Sequence, residues 1–287
     1  MAALGFGVTQ LLNRKSNQLV GAFRTAFGLL VVAELVLIAV SVVTGEISQL
    51  GTAPLWALAC FSVATFFHFG GGWTLLALSQ QKVGVARTGA VVSVAPLVGT
   101  LAAAVLLNEP LTILVLAGVV VVVGGVALLS LSGVANERGH WVRPWHALTV
   151  AFLWGTSPLL IRLGLTGLDS PVLGLTVGIG ATVLIYWLGL HLQRRRLPEI
   201  SPAAGFKARL WMLAGGITGA IAITAQWISF GLTTIAIALS VQQLAALVVV
   251  GVAPIVFNEP LERLNWLLII GTLAILGGTT LVVLSRG

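Results

Sequence analysis

Leu210 to Asn258 is a run of 49 residues without one formal charge. No soluble surface can be made from such a run. An α-helix of roughly 20 apolar residues crosses a hydrocarbon core about 30 Å thick and satisfies its own backbone on the way. The run therefore reads as two crossings joined by a short connection. The same pattern covers the rest of the chain, with spans expected at 1–12, 19–43, 54–78, 85–107, 111–131, 145–165, 171–192, 210–231, 236–257 and 264–284. The expected fold is an all-α polytopic membrane protein of ten transmembrane helices, the first short or truncated.

Composition narrows the function. Apolar residues make up 58% of the 287 and charged residues 8%. A soluble enzyme of that size would need far more charge to cover itself. The net charge of +7 does not indicate nucleic acid, because the Lys and Arg residues cluster in short connections at span ends, as membrane topology requires. Cys60 is alone, so no internal disulfide and no CxxC metal site is possible. Met1 to Leu12 is apolar and runs into Asn13-Arg14-Lys15. It lacks a basic leader and a cleavage site, so it reads as the second half of a membrane helix rather than a signal peptide.

Asn108-Glu109-Pro110 and Asn258-Glu259-Pro260 lie 150 positions apart, and Leu follows each. Proline stops the preceding helix and is tolerated in the first turn of the next. Gly124-Gly125 and Gly277-Gly278 precede the last apolar run on either side, and Leu55-Trp56 has a counterpart in Leu210-Trp211. The chain thus divides into a first repeat over 1–132, a polar connection over 133–144 and a second repeat over 145–287. Five spans per repeat is an odd number, so the copies must insert upside down relative to each other. Such inverted repeats hold a substrate site between them near mid-membrane. With ten spans, one face carries 12 Lys and Arg residues and the other carries Arg162 and Arg286. The positive-inside rule then places both termini outside the cell membrane.

The second repeat opens with Phe152-Leu153-Trp154-Gly155-Thr156-Ser157-Pro158 and continues through Ile161-Arg162-Leu163-Gly164-Leu165. With the two acidic turns and the closing Gly-rich helices, these residues resemble the drug/metabolite transporter superfamily of the type with two EamA domains. Gly5 to Lys15 resembles the tail of the opening helix in the first repeat, with Phe6 where Trp is usual. Arg24 matches a basic residue common early in the second helix. The resemblance covers nearly the whole chain. It implies a ten-helix proton- or gradient-driven carrier, usually an exporter of amino acids, amines, other metabolites or drugs. It also implies both termini in the cytoplasm, opposite to the charge count.

Candidate site residues are polar or aromatic groups at mid-span. Glu34 sits among Val31, Val32, Ala33, Leu35 and Val36. A carboxylate there costs a few kcal/mol, so such groups face cavities and carry ions or protons. Arg24 lies ten residues earlier on the same helix, about 15 Å away along the axis and about 80° around it. It is suited to drawing an anionic group to the cavity mouth, or to snorkelling. His68 precedes Gly70-Gly71-Gly72 and Trp73; an imidazole there can relay protons, and the glycines can loosen the helix. Trp154 and Ser157-Pro158 can wall a substrate site. Gln226, Trp227, Gln242 and Gln243 add amides and an indole in the eighth and ninth spans. Each of these residues also has a plain packing role open to it. Glu109 and Glu259 are read as helix-start carboxylates.

No HExxH, GxSxG, CxxC or Walker sequence occurs, so neither hydrolysis nor ATP-driven transport is indicated. The reading is a secondary transporter, not an enzyme, with a small-molecule substrate, a bilayer around it, no cofactor and no nucleic acid, as a monomer or homodimer in the inner membrane. Translocation of a lipid or sugar conjugate is the alternative cargo. A lipid-modifying membrane enzyme is the alternative outside transport.

Overall fold

The computed structural model describes residues 1–83, 85–132, 145–193, 202–257 and 266–285. The connection 133–144 and the turn Asn258-Glu259-Pro260 lie outside the described residues. Among those described, every regular element is helical: α1 (Ala2–Val20), α2 (Ala22–Val43), a 3₁₀ turn (Glu46–Gly51), α3 (Leu55–Thr65), a π-helical segment (Phe66–Gly72), α4 (Trp73–Val83), α5 (Val85–Val92), α6 (Ala95–Leu106), α7 (Ile113–Ser132), α8 (Trp145–Gly167), α9 (Pro171–Gln193), α10 (Pro202–Leu232), α11 (Ile235–Gln242), α12 (Ala245–Phe257) and α13 (Trp266–Leu284). Among the described residues, six stretches are long and apolar enough to cross a bilayer, and three shorter apolar helices accompany them. The chain is a multi-pass membrane protein.

The punctuation has local causes. α9 begins with Pro171, whose missing donor costs nothing in a first turn. Ser170 Oγ accepts the Leu173 N–H at 3.1 Å as its cap. The Ser170 hydroxyl in turn donates to the Glu46 carboxylate from the 3₁₀ turn. Asn108 closes α6 at φ 53, a left-handed conformation that Asn tolerates better than most residues. Pro110 then prevents the helix from resuming.

Several spans differ in detail from the apolar pattern. α1 runs on through Arg14 and Lys15 to Val20, because those residues end the apolar stretch without opposing helix. The expected span 85–107 is two helices with a break at Ser93-Val94. The expected span 236–257 is broken at Gln243-Leu244. The two breaks are 150 positions apart, the same offset as the two acidic turns. The third span is a helix with a π segment inside it, whereas α10, at the same offset, is α-helical throughout.

The chain forms two compact units, one of Met1–Gly70 with Leu160–Gly231, the other of Gly71–Leu159 with Leu232–Gly287. Each unit takes chain from both sides of the 133–144 connection. In lipid, helices associate through close backbone approach and internal polar contacts rather than hydrophobic exclusion. The first unit shows both. A Cβ at Gly5 would lie 2.8 Å from Ala222 Cβ, and one at Gly178 would lie 2.6 Å from Thr65 Cγ2. Thr9 and Thr218 hydroxyls meet at 3.1 Å, and Ser41 and Thr176 at 2.9 Å.

The second unit is organised around α7 and α13. A Cβ at Gly118 would lie 2.9 Å from the Gly278 carbonyl oxygen, and a Cβ at Gly125 would lie 2.8 Å from that of Gly271. Four glycines, seven apart on each helix, thus form an antiparallel seam of bare backbone. Val115, Val119, Ala236, Ile237 and Val282 are buried beside it.

Candidate functional site

α2 and α9 run antiparallel. The rings of Phe23 and Tyr186 sit 5.4 Å apart near one end, and the Ser41–Thr176 hydrogen bond lies near the other. Between them is Glu34. A Cβ at Gly180 would lie 2.8 Å from Glu34 Oε1, so the bare backbone of α9 makes room for the carboxyl group. Glu34 Oε2 is buried and accepts no hydrogen bond. An acid group placed inside a membrane span with an oxygen left over has not been absorbed into packing.

Four further expected residues belong to this unit. Arg24 is half-buried, in the first turn after the Gly21 break that starts α2. His68 lies inside the π segment, with its ring edge-on to Phe69 at 4.7 Å. Gln226 is 3% exposed and Trp227 2%. The Trp227 indole packs on Phe61 with ring centroids 5.5 Å apart.

The π segment explains Tyr186, which was not among the expected site residues. A π turn displaces carbonyls from their usual partners and recurs at functional positions. The Tyr186 hydroxyl donates to the Phe69 and Gly70 carbonyls at 3.2 and 3.1 Å. One turn along α9, Thr182 donates to Thr65 Oγ1 at 3.2 Å, just before the π segment begins. At the 150-residue offset Tyr186 corresponds to Val36. The phenol is thus present only where there is a π segment to hold. A lone Tyr in an apolar helix was the available signal.

The remaining expected residues lie in the other unit. Trp154 packs against a buried group made by Val92, Ala147 and Val150. Ser157 is 1% exposed and donates to the Trp154 carbonyl at 3.3 Å. Trp73 opens α4 directly after the π segment. Gln242 ends α11 and Gln243 occupies the break after it.

Glu109 has a defined task in this unit. Both its carboxylate oxygens accept the Ile235 N–H, at 3.1 and 3.0 Å, while Thr234 Oγ1 caps the same helix at Ile237. Glu109 therefore compensates the first turn of α11, 126 residues away. Glu259 lies outside the described residues. Among the described residues no group of three or more His, Cys, Asp or Glu gathers as a metal site.

Comparison with known proteins adds a likeness over the first part of the chain. Residues 1–131 match the EamA-like transporter family. No curated protein sequence matches the chain. A solved structure titled only as the crystal structure of a protein superposes with a TM-score of 0.76 at 18% identity, over 98% of this chain and 96% of its own. At that identity the likeness concerns the fold, and it extends over the whole chain.

Proposed function

We propose that the chain, whose residues 1–131 match the EamA-like transporter family, is an alternating-access secondary carrier that exports a small polar or amphipathic metabolite such as an amino acid, amine or drug-like compound. In this reading 1–132 and 145–287 are inverted five-span repeats joined by 133–144. Two features support that arrangement. Helix breaks recur at an offset of 150, and in each compact unit a helix meets its own counterpart antiparallel: α2 with α9, and α7 with α13. Helices related by a two-fold axis in the membrane plane meet in that way.

The observation that carries the transport reading is Glu34, a carboxyl group inside a span with a buried, unpaired oxygen beside the bare backbone at Gly180. A membrane helix keeps such a group at a cost of a few kcal/mol only where the group is used. Glu34 is the proposed proton-coupling site, with His68 in the π segment as its companion. Arg24, Trp73, Trp154, Ser157, Gln226, Trp227, Gln242 and Gln243 are the proposed substrate contacts. The test is flux in proteoliposomes under an imposed pH gradient, with a substrate found by screening amino acids, amines and nucleosides. Combined Glu34→Gln and His68→Gln substitution abolishes the gradient dependence. Unchanged proton-coupled flux removes both residues from coupling. Labelling of single cysteines at 108 and 258 tests the inversion: the proposal places them on opposite membrane faces, with both termini outside.

A further inference from the structure

A serine or threonine inside an apolar helix has a cheap acceptor in the carbonyl three or four residues back. This chain uses it repeatedly: Thr9, Ser62, Thr65, Thr176, Thr182 and Thr218 all donate that way at 2.8 to 3.0 Å. Ser240 and Thr100 do not. They are 0% and 3% exposed, and the hydroxyl oxygen of each is buried without a hydrogen-bond partner. Each gives up an available bond in a medium that makes such a loss costly. The two belong to helices in contact: Gly99, next to Thr100, lies against the side chain of Leu239, next to Ser240.

The backbone adds a third oxygen. At the break between α11 and α12 the Gln243 N–H bonds the Ser240 carbonyl at 3.2 Å, three residues back, and Leu244 bonds Val241 likewise at 3.1 Å. The regular bond from Gln243 to the Leu239 carbonyl is therefore not made, and Leu239 is 5% exposed. The equivalent break in the first repeat closes on itself. There Ser93 Oγ donates to the Ala90 carbonyl at 2.7 Å. Gln243 occupies that position in the second repeat and brings no hydroxyl. Thr279 supplies one from α13, donating to the Ser240 carbonyl at 3.4 Å.

We propose that Ser240 Oγ, the Leu239 carbonyl and Thr100 Oγ1 form a binding site for Na⁺ at the broken α11. The C-terminal end of a half-helix presents partial negative charge, and unwound carbonyls at such ends coordinate Na⁺ in carriers. The ligand set is all oxygen and carries no formal charge: α6, α11, α12 and α13 contain no Asp or Glu. A divalent cation of the calcium class requires carboxylates; a neutral set suits a monovalent ion that must also leave. The ion's use in coupling rests on the carrier reading above, whereas its binding does not.

The test therefore reads binding. Thermal unfolding of the purified protein in detergent is followed in NaCl, KCl and choline chloride at equal ionic strength. Na⁺ at about ten times its dissociation constant raises the melting temperature by roughly 2–4 °C, and K⁺ and choline do not. Ser240→Ala unfolds at the wild-type choline temperature and loses the Na⁺ response. Ser240→Cys, close in size but without the hard oxygen, serves if the alanine variant does not fold. A wild-type protein with no Na⁺-specific shift overturns the site and shows that these oxygens bind water or nothing. A Na⁺ response retained without the Ser240 hydroxyl overturns it as well. Neither result touches proton-coupled flux through Glu34, so the two proposals fail separately.

Discussion

Gly278→Ala tests how the second unit is held together. The new Cβ would lie 2.7 Å from the Gly118 carbonyl oxygen, 2.8 Å from the Val122 nitrogen and 2.9 Å from Val122 Cγ2. Heavy atoms rest comfortably at about 3.5 Å or more, so α7 and α13 must part by most of ~1 Å. Two of the three obstructing atoms are backbone and cannot rotate away. Overpacking costs about 1–3 kcal/mol, and a clash that separates a whole helix pair belongs at the upper end. For a chain of this size that is a fall of about 5–10 °C in melting temperature. Gly277 supplies the control, because a Cβ there meets nothing within 4 Å. Gly277→Ala leaves the melting temperature where it was or raises it slightly. Scanning fluorimetry of both variants in one detergent decides the matter. Equal stability of Gly278→Ala and wild type would refute the seam, and so would an equal loss in Gly277→Ala.

Tyr186→Phe removes the donor shared by the Phe69 and Gly70 carbonyls, a loss of about 1 kcal/mol; hydrogen exchange over residues 66–73 rises about five-fold by mass spectrometry. Glu109→Ala leaves the Ile235 N–H without its carboxylate and costs about 1–2 kcal/mol in thermal unfolding. Glu109→Gln costs less, because its amide oxygen still accepts. Gly180→Ala places a methyl group where Glu34 Oε1 now rests; the flexible carboxyl end swings away, so the melting temperature changes little while proton-coupled flux in vesicles falls.

What was legible in the sequence follows from what apolar periodicity and turn chemistry encode. Asn108-Glu109-Pro110 marked a boundary because each residue acts locally: Asn takes the left-handed turn, Pro bars the helix and Glu offers a carboxylate to a helix start. Which helix start was not legible, because Ile235 meets Glu109 only in three dimensions. The span 85–107 reads as continuous by hydropathy alone, although Pro96, which cannot donate to the Val92 carbonyl, sits in the first turn after the break at Ser93-Val94. The triple glycine did announce a loosened helix, and a π segment is present there, but its clasp is a phenol more than a hundred residues away. Gly125 and Gly278 stood out as members of glycine pairs. Their partners Gly271 and Gly118 were single glycines in a chain that has 34. The mid-span carboxylate of Glu34 was plain from its apolar neighbours, since hydrocarbon makes any charge conspicuous. Ser240 and Thr100 were not, because a small hydroxyl in a helix ordinarily hides by bonding its own backbone.

The glycine seam of α7 and α13 has a mechanical consequence. Two helices pressed peptide against peptide act as a single girder, and a paired rod resists bending far better than either helix alone. Strain arriving at one end of that girder is passed to the other rather than dissipated along it. Flexure in this part of the molecule is left to the interrupted helices beside it, α5–α6 and α11–α12.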